Sequence, residues 1–569
     1  MRKRFTSILG LLMLLAAPMQ AQDFESATDA VKNMGIGWNL GNTLDANVGS
    51  GKLFTEEGYW GVQGLESETC WGQPVTKPEL FTMFKEAGFG AIRVPVTWYN
   101  HMDKDGKVDA AWMKRVHEVV DYVIDAGLYC IINVHHDTGA DGNPFHSWLK
   151  ADEDNYTQNK ERFEGLWTQI ATEFKDYDEH LIFGAYNEML DKYDSWCFAT
   201  FGRSGGYDAA DAASAYAAIN SYAQSFCSAV RATGGNNATR NLIINTYGSC
   251  NGSGTWNSHL KDPLTEMKMP EGESNHIIFE VHNYPSISNL SSAKKEFDQN
   301  IQDLQETLGA LGAPIIYGEW GTSSNNGDGT NDYADNRDNL FDFVTYALKA
   351  VKEAGMAAFW WMGISDGAYR NEPAFSQPDL AETMAKAWHG EEFAGTYPTI
   401  SKSSGVTAWE GEQALMWSTW LKIEGSVFAT MKSDMQLQIT YTQEAANADG
   451  GDLQFWYGDW SSKLTVKVGD TEFAGDFNPD EYYGTTDQTY TTAFTFSEEA
   501  FNNLCQKGML LDGQNVILKK VVLAPATDIK AVKTSNITDA IQIYNLAGQR
   551  VASPKKGIYI RNGKKVVIK

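Results

Sequence analysis

Between residues 33 and 389, short apolar runs alternate with longer segments whose apolar positions recur at helical spacing. The runs fall at 35–40, 90–96, 128–134, 181–186, 241–246, 276–281, 314–318 and 356–361. They are continuous rather than alternating, as strands covered on both faces are. Residues 76–87 read as a helix with Leu80, Phe81, Phe84 and Ala87 on one face, opened by the capping box Thr76-x-x-Glu79. Residues 109–126 repeat the pattern with Trp112, Val116, Val119, Val123 and Ile124. Gly88, Gly127 and Gly355 stand where helices end before the next run. Repeated strand–helix units over roughly 350 residues predict an α/β fold, a (β/α)₈ TIM barrel. A doubly wound open sheet is the alternative, but it carries a Gly-rich phosphate loop after its first strand. Here the first run leads into Trp38-Asn39-Leu40-Gly41-Asn42, so the barrel is preferred.

The pattern changes after His389. Residues 391–405 are rich in Gly, Ser, Thr and Pro and read as a linker. Short alternating runs at 436–441, 464–468 and 516–523 predict an all-β sandwich over 406–528. Residues 529–569 form a small separate β unit. At the other end, Arg2-Lys3-Arg4 followed by an apolar run predicts a signal peptide over 1–22. That leaves 23–390 as the barrel domain. No other stretch approaches the ~18 apolar residues of a membrane-spanning helix.

Composition changes the picture only in part. A net charge of −27 repels nucleic acid and anionic membranes but leaves neutral substrates unaffected. The 18 Trp, 25 Tyr and 27 Phe serve either a rich core or the flat apolar faces of sugar rings, and composition leaves both open. The six cysteines lie far apart without zinc-type spacing, and no bridge is assigned; Cys130, within an apolar strand, reads as a buried thiol.

In a barrel the chemistry sits at the C-terminal strand ends. Those ends carry Asn42, Arg93, His135 with His136, Asn187 with Glu188, Asn245, His282 with Tyr284, Glu319 and Trp361. Packing does not account for so many polar ends, and two carboxylates are the minimum for glycosidic cleavage. Alternation groups Gly184, Tyr186 and Glu188 on one face, and Ile315, Tyr317 and Glu319 on another. Asn187 has the opposite parity, so its participation requires the strand to distort. Glu280 shares parity with His282 and is expected as a buried partner; Trp360, opposite to Trp361, is expected to pack outside.

The segment Gly37-Trp38-Asn39-Leu40-Gly41-Asn42-Thr43-Leu44-Asp45 resembles the opening of glycoside hydrolase family 5, the cellulase family. Ile92-Arg93-Val94-Pro95-Val96, Val134-His135-His136-Asp137, Tyr186-Asn187-Glu188, Val281-His282-Asn283-Tyr284 and Tyr317-Gly318-Glu319-Trp320-Gly321 follow in the family's order. Glu68-Thr69-Cys70-Trp71-Gly72 is most similar to subfamily 4. The resemblance implies a retaining endo-β-1,4-glucanase acting on cellulose-like, mixed-linkage or xyloglucan chains. It casts Glu319 as nucleophile and Glu188 as acid/base. It implies that Arg93 holds Glu319 ionised, Tyr284 hydrogen-bonds it and Asn187 binds the sugar 2-hydroxyl. Asn42, His135, His136 and His282 also join the substrate site, with Trp361 as a sugar platform. Two positions depart from the family's pattern: Met189 stands where Pro commonly follows the acid/base, and Met362 where an acidic residue often follows the last-strand Trp. Neither replaces a carboxylate.

The stretch Ile543-Tyr544-Asn545-Leu546-Ala547-Gly548-Gln549-Arg550, with Gly557-Ile558-Tyr559, resembles the C-terminal signal of type IX secretion substrates, which implies a secreted or cell-surface enzyme. Gly202-Arg203-Ser204-Gly205-Gly206 matches a hydrolase nucleophile pattern, but no strand leads into it. His135 and His136 are adjacent, not spaced as helical metal ligands, so neither metal nor cofactor is expected. The rival functions are a β-mannanase on the same barrel and a non-catalytic carbohydrate-binding protein, the latter disfavoured because both carboxylates are present. The sandwich, with Trp409, Trp417, Trp420, Trp456 and Trp460, is a candidate carbohydrate-binding module. The expected partner is plant cell-wall β-glucan, bound by a monomeric chain.

Overall fold

The computed structural model describes residues 24–47, 64–139, 147–323 and 330–400, then 406–415, 419–428, 435–443, 451–469, 471–479, 482, 489–525, 531–534, 543–544, 557–561 and 564–568. The expected signal peptide, Trp417 and residues 401–405 of the expected linker lie outside them. The chain divides into two compact units, Met1–Ser401 and Lys402–Lys569.

In the first unit, β1 (Ile36–Asn39), β2 (Ala91–Val94), β3 (Tyr129–Asn133), β4 (Leu181–Gly184), β5 (Leu242–Asn245), β6 (Ile277–Asn283), β7 (Ile315–Trp320) and β8 (Ala357–Trp360) pair in parallel in chain order. β8 closes onto β1, making the barrel the apolar runs predict. The helix α1 (Ala27–Met34) precedes it; α2 (Pro78–Glu86), α3 (Ala110–Asp125), α4 (Glu153–Glu173) and α5 (Ala209–Ala232) follow β1 to β4, and α6 (Leu290–Thr307), α7 (Arg337–Glu353) and α8 (Pro378–His389) follow β6 to β8. Asp109 caps α3 by accepting from the amides of Ala111 and Trp112. The expected capping box on α2 does not form: the helix starts at Pro78, and Lys77 caps without a side-chain bond. Proline suits this first position, because its missing N–H is one of the donors left over at a helix start. Thr76 instead gives its amide to Glu68 and its carbonyl to Arg115.

Each strand changes character over one pleat. Ala91, Ile131, Ile182, Ile243, Ile278, Ile316 and Phe359 form an apolar floor, against which Ala27, Ala30, Val31 and Met34 of α1 pack. Two residues further along the same faces stand Arg93, Asn133, Gly184, Asn245, Glu280 and Gly318. The opposite faces, with Ile92, Ile132, Phe183, Ile244 and Trp360, join the helices in the main core. Trp360 is thus packed outside, edge-on to Trp320.

Strict alternation fails at two strand ends. β4 stops at Gly184, and Tyr186 points outward to donate to the carbonyls of Ile219 and Asn245, so it does not share the face of Gly184. In β7, Ile315 and Tyr317 belong to the outer core and not to the face of Glu319. Val281 pairs with Tyr317 but His282 pairs with Glu319, leaving Gly318 as an extra residue. This β-bulge turns both Gly318 and Glu319 inward.

The expected linker is not free over its first part. Pro398 and Thr399 bond to Phe375 and Thr396 to Glu86, so the chain stays bound to the barrel there.

The second unit is antiparallel throughout its described strands. A five-stranded sheet is built from β9 (Val406–Leu415), β11 (Met435–Gln443), β16 (Thr489–Phe494), β18 (Val516–Pro525) and β19 (Ala531–Thr534). A four-stranded sheet comprises β10 (Leu421–Ile423), β12 (Asp452–Tyr457), β15 (Asp476–Phe477) and β17 (Met509–Gln514). β13 (Val466–Val468) and β14 (Thr471–Phe473) form a separate pair. Phe455 and Phe477 of the smaller sheet meet Phe494 of the larger one, with ring centroids 4.7 and 5.2 Å apart, so the sheets pack as a sandwich. Near the C-terminus, β20 (Ile543–Tyr544), β21 (Gly557–Arg561) and β22 (Lys564–Ile568) form a three-stranded sheet.

Close packing at the floor gives a test of the barrel. A Cβ on Gly37 would lie 2.2 Å from Cδ1 of the buried Phe359 ring. Overpacking of this kind costs about 1–3 kcal/mol. Gly37→Ala should therefore lower the midpoint of barrel unfolding in urea; an unchanged midpoint would show that the ring moves aside freely.

Candidate active site

The polar layer above the floor centres on Arg93, whose side chain is fully buried. Its Nη1 donates to Glu319 Oε1 and to Asn39 Oδ1, both at 2.9 Å. Its Nη2 donates to Asn187 Oδ1 at 2.7 Å and lies 2.9 Å from Glu280 Oε1. Asn187 reaches this position because the backbone leaves the strand after Gly184, the distortion its parity requires. Asn39 in turn donates to the carbonyl of Gly318, beside Glu319 on the bulge.

His282 is the second cation of the layer. Its Nδ1 is 2.8 Å from Glu188 Oε1 and 3.5 Å from Glu319 Oε2, and its Nε2 is 3.2 Å from Glu280 Oε1. Burial alone would depress its imidazolium, but Glu319, Glu188 and Glu280 outweigh burial and push it up to about 9. His135 is driven the other way, well below the ordinary histidine value, by burial first and then by its neighbours His136, Arg93 and His282. One histidine is thereby charged at neutral pH and the other is not. Burial opposes ionisation of Glu280, yet Arg93 and His282 bring it below the usual glutamate range.

Glu319 accepts from Tyr284 Oη at 2.8 Å. Burial raises its carboxyl above the usual range, against the charges of His282 and Arg93 and the tyrosine hydrogen bond. Arg93 therefore favours the ionised form, as the resemblance implies, but does not outweigh desolvation. Burial and the neighbouring carboxylates keep the Tyr284 phenol far above its ordinary value, so it stays a donor. Oxygens of Glu188 and Glu319 lie within 4.8 Å of each other, with His282 between them.

The remaining expected residues divide. Trp361 lies face to face with His135, centroids 6.0 Å apart, and packs over Gly41, where a Cβ would come within 2.9 Å of the indole. His136 is half-buried, tilted against Trp71 and 3.7 Å from Asp45 Oδ2. Asn42 occupies a left-handed turn with φ 58°, its amide donating to Asp45. Among the described contacts its side chain reaches neither carboxylate, and Asn39 takes the place at the end of β1. Met189 and Met362, the two departures from the family's pattern, are both buried.

A cleft of about 400 Å³ opens beside Glu188 and is lined by Trp196, Asn251, Trp256, His282 and Tyr284. Trp196 and Trp256 are 42% and 57% exposed. The sequence does not single them out, because they sit on loops with no periodicity; their only signal is tryptophan in a polar stretch. The Trp196 loop is held by buried Asp191, which accepts from the amides of Tyr193, Ser195 and Thr200. Within that loop Asp194, Cys197 and Thr200 all have positive φ.

An eight-stranded parallel barrel with two carboxylates facing each other at its C-terminal mouth has the layout of a glycosidase site. The chain belongs to the cellulase family, glycosyl hydrolase family 5, whose model matches residues 55–367. It is 32% identical over 373 residues to endoglucanase B of Neocallimastix patriciarum, covering 63% of this chain and 69% of that one. Endoglucanase A of Clostridium longisporum is also 32% identical, over 63% of each chain. Among solved structures, a broad-specificity subfamily 4 endoglucanase from an uncultured bacterium shares 55% identity, 66% of this chain and 98% of its own, with a TM-score of 0.62. A family 5 enzyme of Prevotella bryantii in complex with a xyloglucan tetradecasaccharide shares 40% identity, 64% of this chain and 99% of its own, with a TM-score of 0.56.

Tyr284 provides a signed test. Its hydroxyl favours ionised Glu319, so Tyr284→Phe should raise the Glu319 pKa further and move the acid limb of the kcat/KM profile to higher pH. A limb that stays put or moves down would contradict that role.

Proposed function

We propose that the chain is a retaining endo-β-1,4-glucanase in which Glu319 is the nucleophile and Glu188 the acid/base. The observation carrying this reading is the approach of the two carboxylates to within 4.8 Å. Inverting enzymes need roughly 6.5–9.5 Å to seat a water, whereas retaining enzymes need about 5–5.5 Å. Environment assigns the roles. Glu319 is bound by a guanidinium and a phenol, which suits an anion that attacks. Glu188 is about a quarter exposed at the cleft, where a leaving group departs.

In the first step a Glu319 oxygen bonds to the anomeric carbon while Glu188 gives its proton to the departing glycosidic oxygen. In the second, Glu188 takes a proton from water, the water oxygen attacks the same carbon and the bond to Glu319 breaks. Two inversions leave the β configuration. Asn187, fixed by Arg93, is placed to bind the sugar 2-hydroxyl, a contact that strengthens in the transition state. Trp361 serves as the platform on one side of the scissile bond, and Trp196 and Trp256 as platforms on the leaving-group side. Two similar structures support a range of substrates that includes xyloglucan: the broad-specificity endoglucanase at 55% identity and the xyloglucan complex at 40%.

Glu319→Gln should abolish hydrolysis of barley β-glucan and xyloglucan while leaving binding. Glu188→Ala should be crippled on polysaccharide but partly rescued by azide on substrates with activated leaving groups. More than a few per cent of native rate in Glu319→Gln would overturn the assignment.

The reading extends to export, supported by the cationic-then-apolar stretch at 1–22 and by the basic C-terminal segment with its resemblance to a type IX signal. Deleting residues 537–569 should preserve hydrolysis in lysates but trap the enzyme in the periplasm. Normal amounts of truncated enzyme on the cell surface or in the medium would rule this out.

A further inference from the structure

The family match ends at residue 367, and the sandwich presents a surface of its own. Trp409 is fully buried in the sandwich, which removes it from any binding role. Trp420, Trp456 and Trp460 are different. Trp460 is 41% exposed, with its ring 5.4 Å from each of the other two. Its backbone lies in the left-handed region at φ 57°, uncommon for a residue this bulky. The turn is held there by the Trp460 amide donating to the Tyr457 carbonyl and by Lys507, which binds both Asp459 and Ser461. Strain maintained to keep an indole in solvent points to use of that indole.

Polar groups continue from the rings along the outer face of the four-stranded sheet. Leu453 and Phe455 of β12 point into the sandwich, so Asp452, Gln454 and Trp456 face outward. Gln454 accepts from Trp456 Nε1 at 3.1 Å and donates to Asp452 at 3.0 Å, which fixes its amide. Asp512 and Asp476 pair with Gln454 from the two flanking strands, and Lys463 binds Asp476. The row from Trp456 to Asp452 covers about 13 Å of strand and leads to a groove lined by Asp452, Phe473, Asp476 and Tyr482.

We propose that this face is a second carbohydrate site, which holds a single soluble β-glucan chain against Trp460 and along the Trp456–Gln454–Asp452 row. An indole for the apolar sugar face beside oriented donors and acceptors for hydroxyls is the chemistry of a neutral polyhydroxylated chain, and the carboxylates disfavour anionic polymers. The choice of β-glucan rests on the barrel's reading as a β-glucanase. The ring angles decide between a free chain and a crystal surface. Trp460 is inclined 87° to Trp420 and 54° to Trp456, so a flat surface cannot lie on all three.

The test uses the full chain carrying Glu319→Gln, so that substrate persists, in affinity electrophoresis through gels containing barley β-glucan, xyloglucan or starch. Adding Trp460→Ala should weaken retardation by the β-glucans about tenfold, and Trp460→Tyr, which keeps a ring, should restore most of it. Gln454→Ala should also weaken retardation, and microcrystalline cellulose should retain little of the chain. Unchanged retardation of a folded Trp460→Ala chain by both β-glucans would overturn the proposal, as would equal Trp460-dependent retardation by starch or strong Trp460-dependent retention on microcrystalline cellulose. Hydrolysis by the native chain, measured separately, reports on the barrel's reading alone.

Discussion

Arg93 has no access to water, and a buried cation is tolerated only where counter-charges and acceptors surround it. Glu280 and Glu319 supply the charge, Asn39 and Asn187 the remaining acceptors. These partners come from four different strands or strand ends, so pairing the two terminal nitrogens of one guanidinium also fixes the distances among the groups at the barrel mouth. Removing a carboxylate would leave buried charge less compensated, and removing an asparagine would leave a buried N–H without its acceptor. Glu319 thus inherits its position from a requirement of folding. The same network contains His282, whose charge is maintained by the three carboxylates it touches.

The lower barrel and its mouth answer to different physics along the same strands. Isoleucine fills the floor because interior positions of a closed sheet must pack without voids. One pleat further on, glycine at 184 and 318 leaves room for polar side chains. A Cβ on Gly318 would come within 2.2 Å of the Glu280 carboxyl carbon, so the bulge that delivers Glu319 needs glycine there for space. The outward faces remain apolar past this level, which is why the helices pack without interruption beside a charged centre.

The barrel was legible because its strands are covered on both faces and read as unbroken apolar runs between helical periods. The two carboxylates were legible as polar strand ends set in an ordered series of motifs. Alternation could not place Glu319, since a bulge adds one residue and reverses parity without any mark beyond Gly318. Nor could it place Tyr186, which lies past the last paired residue. Asn42 attracted attention as the terminal polar residue of the first motif, whereas Asn39, still within the strand, is the one aimed inward. Trp196 and Trp256 depend on loop geometry set by tertiary contacts, which no period records. In the sandwich, composition alone made every tryptophan equivalent; burial separates Trp409 from the three that reach the surface.

The loop carrying Trp196 is organised through main-chain amides gathered by Asp191 and through buried Ser195, which accepts from the Gly202 amide, while Trp196 itself stays exposed. Residues there can be exchanged without disturbing the carboxylates, which are tied to the barrel by other bonds. Such a division lets natural variation act unevenly. A change in the polar layer around Arg93 breaks buried charge pairs, whereas a change at an exposed rim position such as Trp196 does not. New substrate preferences would then arise in a lineage by altering a few rim positions on an inherited reaction centre. Asp191 itself, which touches neither substrate nor nucleophile, would be among the last rim residues to change.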